Sequence, residues 1–124
     1  MQITFLSLYS DQLSSFFERG IIKRALENNI ISVNYQQLRE FSDPPHYKVD
    51  DYPYSNKKGM LLKYEILNRA LSSFDSDSVF IMPDPKGPLF DANYAKKLSN
   101  EQKIVFISPA FEGVDERIFS SFPI

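Results

Sequence analysis

Residues able to do chemistry gather in three stretches of this chain: "HYKVDDYPYSNKKGM" (46–60), "MPDPKG" (82–87) and "SPAFEGVDER" (108–117). The first holds the one histidine, His46, the adjacent acids Asp50 and Asp51, and the lysine pair Lys57–Lys58. An imidazole can serve as a base, and paired carboxylates can hold a cation. Adjacent acids on an extended loop point apart, however, so turn or cap roles are the default for Asp50 and Asp51 and no metal site is expected. His46 lies among prolines and tyrosines as a loop residue, and an exposed lysine pair is ordinarily solvated surface. The second stretch reads as a proline-rich turn in which Gly87 takes positive φ. In the third, Asp115 and Glu116 suit the first turn of a helix, where the dipole favours acids by ~0.3–1 kcal/mol each. The same dipole gives no reason for Arg117. The chain has no GxxxxGK[ST] or GxGxxG phosphate loop and no nucleophile elbow, and a lone histidine argues against a Ser-His-Asp triad.

The elements that must position these stretches follow from periodicity. "QITFLSL" (2–8) has the content of a buried strand, and Leu13, Phe16, Phe17, Ile21 and Ala25 predict a helix over 11–27, with Gly20 inside it. Ile31, Val33 and Tyr35 alternate as a strand, and 38–60 reads as a long loop of the kind that is usually functional or disordered. Leu61, Leu62, Ile66, Leu67, Ala70 and Leu71 predict a second helix, and "SVFIM" (78–82) a strand. Asp91 caps a short helix bearing Tyr94, Ala95 and Leu98, which Asn100 closes. "KIVFIS" (103–108) is the last strand, and a short helical stub follows Gly113. This alternation predicts an α/β domain, a mostly parallel sheet with helices on both faces. Open parallel sheets bind ligands at the carboxyl ends of their strands, where 82–87 and 108–113 would lie.

Composition narrows the function classes. The chain has no cysteine, which excludes disulfides and thiolate metal sites. Its formal net charge of −2 argues against tight non-specific nucleic-acid binding, while leaving room for a local basic patch or an RNA recognised by shape. With 43% hydrophobic residues, including eleven Phe and seven Tyr, 124 residues suffice for the core of one domain spanning 1–124. No apolar run approaches the ~20 residues of a membrane span and no basic region precedes the first apolar run, so a cytoplasmic protein without a membrane partner is expected.

Taken in order, the motifs resemble one family. "FEGVDERI" (111–118) is similar to the YEGIDERV-type segment of bacterial tRNA (guanine-N1)-methyltransferases, which are trefoil-knot (SPOUT-type) methyltransferases. "VDDYPYSNKKGM" (49–60) resembles their VDDRPYGGGPGM-type loop through Val49, Asp50, Asp51, Pro53, Tyr54, Gly59 and Met60. Arg39, Phe41 and His46 fall in place without a gap, and Pro85, Gly87 and Asp91 add to the match, which covers nearly the whole chain. The resemblance implies a knotted α/β fold, a homodimer, S-adenosylmethionine (SAM) as methyl donor, and N1 of the guanosine 3′ of the tRNA anticodon as acceptor. It further implies a donor site in Pro83, Asp84, Pro85, Lys86 and Gly87 together with Pro109, Phe111, Glu112 and Gly113. Contacts to the RNA substrate are implied for Asp50, Tyr54, Gly59, Met60, Asp115 and Arg117.

In the family the knot-threading loop, the catalytic aspartate and the RNA-binding domain follow the DER segment. The expectation is therefore a donor-side N-terminal portion, a partial knot fold lacking the threading segment, with no catalytic residue in this chain and no activity by itself. Departures from the family pattern are specific. Pro109 and Ala110 stand where the family has glycine and arginine, and Ser55, Asn56 and Lys57 replace its glycine triplet. Tyr9-Ser10 stands where the family has a proline after the strand-ending aromatic. Added side chains and a lost N–H predict weakened donor binding. A non-catalytic knot-family domain kept for dimerisation or RNA contact is the alternative, and a generic nucleotide-binding module is disfavoured by the missing phosphate loop. Leu13, Phe16, Phe17, Phe119 and Phe122 cannot all face one sheet, which predicts a two-fold dimer through the first helix and the C-terminal stub.

Overall fold

The computed structural model describes residues 1–44, 48–51, 61–108 and 113–124, with Asp50 and Asp51 described by their backbone alone. Four strands, β1 (Gln2–Ser7), β2 (Ser32–Gln37), β5 (Val79–Ile81) and β6 (Lys103–Ser108), form one sheet in the order β2-β1-β6-β5. Every pairing in it is parallel, as the alternation of elements predicts. Two shorter strands, β3 (Asp50–Asp51) and β4 (Leu61–Leu62), pair antiparallel apart from this sheet.

Strand order and crossover handedness decide where the helices go. The connections β1 to β2, through α1 (Gly20–Glu27), and β5 to β6, through α3 (Ala92–Leu98), step the same way across the sheet. Right-handed crossovers place both on one face. The step from β2 to β5 runs the other way and puts α2 (Tyr64–Ser72) on the opposite face. Burial agrees with this division. Ile66, Leu67, Ala70 and Leu71 of α2 form one buried stripe against Leu6, Phe80, Val105 and Ile107 of the sheet. Each of these side chains larger than Ala70 contributes roughly 1.5–3 kcal/mol when fully buried. On the other face Leu98 and Ile104 are buried outside that cluster. There Phe5 stacks between Tyr35 and Phe106, at 6.2 and 5.5 Å between ring centroids, and Phe17 meets it at 5.6 Å.

The helix predicted over 11–27 is two elements. Residues Ser10–Phe17 wind as a 3-10 helix, and α1 begins afresh at Gly20, whose φ of +73° breaks the path. "SDQLSSFF" is rich in serine, and Ser14 Oγ already bonds the carbonyl of Asp11, competing with an α ladder. The far end of α1 closes on Asn29 at positive φ, with Asn29 N–H donating to Leu26 and Ile30 N–H to Ala25. That is a Schellman end with asparagine in the left-handed position. Within the predicted loop 38–60, Leu38–Phe41 form a 3-10 turn before β3.

The second predicted helix starts three residues late because Leu61 and Leu62 are captured as β4. Leu62 N–H donates to Gly113 O at 3.1 Å, and Asp115 N–H donates to Leu62 O at 3.1 Å. These bonds make a parallel bridge between Leu62 and Val114, so the segment after β6 is fastened beside the start of α2. The closing helix α4 (Ile118–Ser121) then buries Ile118, and Phe122 meets Phe80 at 5.9 Å. Phe122 therefore faces the core, while Phe16 and Phe119 of the same expected apolar group stay exposed. Among the described residues no helix is long and apolar enough to cross a membrane.

Candidate functional site

The carboxyl ends of β5 and β6 carry the candidate site, as a parallel sheet requires. Pro83–Gly87 leave β5 fully exposed. The turn is closed on itself: Asp84 O accepts from Gly87 N–H at 2.9 Å, and Asp84 Oδ1 accepts from Lys86 N–H at 2.7 Å. Gly87 is not at positive φ, so that expectation is corrected; its glycine is explained by space, since a Cβ there would stand 3.2 Å from Asp84 O and the turn would have to yield by a few tenths of an ångström. Beyond β6, Gly113 holds φ at +149°, which strains any residue with a Cβ. The two edges meet, since Lys86 Nζ lies 3.7 Å from Glu116 Oε1 in a fully solvated pair.

As a wall for the SAM implied by the resemblance, this edge fits in position, exposure and the space Gly87 leaves. With its Lys86 and Gly87 N–H groups engaged by Asp84, the loop offers carbonyls, the Pro83 and Pro85 rings and the Lys86 ammonium. Pro109, Phe111 and Glu112 of the expected donor site lie outside the described residues, as do His46, Lys57, Lys58 and the expected RNA contacts Tyr54, Gly59 and Met60. Asp50 is placed by its backbone in β3, opposite Leu62.

Arg117, unexplained by the helix dipole, has a structural partner two residues before it. Asp115 Oδ1 accepts from Arg117 N–H at 3.1 Å and from Nε at 3.0 Å, while Nη2 donates to Oδ2 at 2.6 Å. The guanidinium also lies over the Tyr64 ring, 5.0 Å from its centroid, and Tyr64 Oη is 2.8 Å from Ser121 Oγ. A bidentate fork on a carboxylate, with an aromatic face behind it, fixes this cation in one orientation. Helix α4 begins only at Ile118, so neither Asp115 nor Glu116 sits in its first turn and the dipole account of them is corrected. Tyr64 is the site residue that sequence reasoning missed, because no local pattern links it to Arg117, 53 positions away.

The Arg117 hydrogen bonds hold the Asp115 carboxyl below its ordinary range, against the opposing effect of its burial. A carboxylate so held is a poor proton acceptor. Its contribution to stability is complete above the unfolded pKa of ~3.9 and is lost as pH falls through the lowered folded value. Asp115→Asn should therefore lower Tm at neutral pH, with the gap from the unsubstituted chain closing as acid protonates Asp115. Melting curves followed by circular dichroism check this, and a gap of constant size across the acid range would contradict it.

Comparisons with known proteins bear on this edge. The family described as tRNA (Guanine-1)-methyltransferase TrmD matches residues 1–122. The tRNA (guanine-N(1)-)-methyltransferase of Mycoplasmopsis agalactiae is 42% identical over 119 residues, which are 95% of this chain and 52% of that protein. Its counterpart in Clostridium kluyveri is 35% identical over 121 residues, 96% of this chain and 49% of that one. The crystal structure of tRNA (m1G37) methyltransferase from Aquifex aeolicus superposes with a TM-score of 0.84 at 30% identity, covering 100% of this chain and 57% of that one. The chain thus spans about half the length of the curated relatives it matches.

Proposed function

Because this chain belongs to the tRNA (guanine-1)-methyltransferase family, we propose that it is the donor-side portion of a cytoplasmic, SAM-dependent enzyme acting on N1 of the guanosine 3′ of a tRNA anticodon. The observation that carries the proposal is the match across residues 1–122, laid on a sheet whose carboxyl edge brings the 83–87 loop to the DER turn. The loops 83–87 and 109–113 would hold the donor. Bound SAM supplies an electrophilic methyl group. The chain's own part is to orient that donor and, through the 49–60 loop and the Asp115–Arg117 pair, to receive the RNA. Removal of the N1 proton needs a base, and Asp115 is unsuited to it while Arg117 holds it ionised. That role, with the knot-threading loop, is assigned to the half of the relatives that this chain does not span.

A second reading, a non-catalytic domain used for dimerisation or RNA contact, is favoured by Pro109 and Ala110 in place of the family's glycine and arginine. Titration of the chain with SAM, followed by amide NMR shifts, separates the two. The enzyme reading predicts shifts at Lys86, Gly87 and Gly113, with affinity weaker than ~100 μM, about −5.5 kcal/mol. Shifts elsewhere, or none, favour the second reading, and tight binding at ~1 μM contradicts the weakened donor site.

The active assembly is proposed to be a two-fold dimer through the first helical region and the stub. Phe16 is 72% exposed and Ile21 82%, with Ile22 and Phe119 also open to solvent. Phe17, by contrast, packs on Phe5 and Tyr35 and is part of the fold. In an isologous interface each patch meets its own copy, so one charge enters twice. Phe16→Glu should convert the dimer to monomer in light scattering with secondary structure unchanged. A wild-type chain already monomeric at tens of micromolar would remove this proposal.

A further inference from the structure

A cavity of about 260 Å3 opens beside the first turn of α2, walled by Asp43, Lys48, Lys63, Glu65 and Arg69 over the side chain of Ile66. Its charges sort into two groups. Arg69 is engaged: Nη1 donates to Phe41 O at 2.9 Å and to Asp43 Oδ1 at 3.1 Å, and Nη2 to Asp43 Oδ2 at 3.4 Å. That pair is neutral within itself. Lys48, Lys63 and Glu65 remain, and among the described residues neither lysine has an ion-pair partner. The backbone keeps the two lysines near each other, since Lys63 N–H donates to Val49 O at 2.8 Å. Lys63 also stands at the N-cap of the nine-residue α2, where the helix dipole adds to its charge. With the Arg69–Asp43 pair neutral, the described charges around the cavity are two ammonium groups against the one carboxylate of Glu65, a net positive site on a chain of net charge −2. Compact, strongly hydrated ammonium charges suit a phosphate oxygen, which needs no planar fork to meet them.

We propose that Lys48 and Lys63 hold one backbone phosphate of the RNA substrate, an assignment that rests on the tRNA reading and deepens it by fixing where the backbone runs past α2. Glu65 opposes the phosphate and tunes the site downward. The full chain, followed by NMR, is titrated first with inorganic phosphate and then with an anticodon stem–loop RNA. The expected result is a saturable phosphate shift at Lys48, Lys63 and Glu65, lost in Lys48→Gln/Lys63→Gln and strengthened severalfold in Glu65→Gln. RNA should displace the phosphate, and the double variant should flatten the slope of log affinity against log salt by about 0.7–0.9, the value of one phosphate. Absence of saturable phosphate binding, or its persistence in the double variant, overturns the site. Phosphate binding with an unchanged RNA salt slope overturns the RNA assignment and leaves a site for free phosphate. Intact phosphate binding with no RNA binding, either by this chain or by residues 1–122 grafted into the Mycoplasmopsis agalactiae relative, instead overturns the tRNA reading on which the assignment rests.

Discussion

The pairing of β1 with β6 joins the first and last strands at the centre of the sheet, in register from Gln2 beside Lys103 to Ser7 beside Ser108. Leu6 and Ile107, partners in that register, are both completely buried under α2. A slip of either strand by one residue would turn its own buried residue outward and bring a polar or half-covered neighbour into the core. The same register sets the height at which the chain leaves β6, and hence where Gly113 and Val114 reach β4. The carboxyl edge of the sheet, the DER turn and the base of α2 therefore share one origin. Because the pairing joins distant segments, its loop-closure entropy must be met before the edge exists.

What fastens the segment beyond β6 is a small set of directional bonds supported by apolar burial. The Leu62–Val114 bridge fixes the backbone, Ile118 and Phe122 pack under it, and the Asp115 fork turns Arg117 onto Tyr64. The Lys86–Glu116 pair is too exposed to add much stability, and its value is geometric, showing that the two loops meet. The sheet's opposite face is arranged differently. Its aromatic ladder of Tyr35, Phe5 and Phe106 is only partly covered by the first helical region, and burial there raises the Tyr35 hydroxyl pKa, with Glu18 adding to the effect.

Much of this was legible in the sequence where one period dominates. The strand at 103–108 has its predicted bounds, and Asp91 caps its helix through a bond from Tyr94 N–H. Legibility failed where distant contacts overrode local preference. Leu61 and Leu62 fit the helical period of α2, yet pairing with Asp51 and Asp50, and the bonds of Leu62 with Gly113 and Asp115, draw them into a strand. Gly20 marked a weakness in the first helix, but only its positive φ shows that the weakness is a break. At the site, the DER and VDD motifs were readable because their residue types and order are distinctive. The Tyr64 platform and the Lys48–Lys63 cavity were not, since each is assembled from segments that touch only after the sheet has formed.

The proposal that these residues form the donor-side half of a guanosine-specific tRNA methyltransferase is tested most directly by a graft. Residues 1–122 replace the matching segment of the Mycoplasmopsis agalactiae relative, and the chimera is assayed for SAM-dependent methyl transfer to tRNA, with the modified base identified by mass spectrometry. The account predicts N1-methylated guanosine 3′ of the anticodon, lost when that guanosine is replaced by adenosine. A folded chimera that binds both SAM and tRNA yet transfers no methyl group would contradict it.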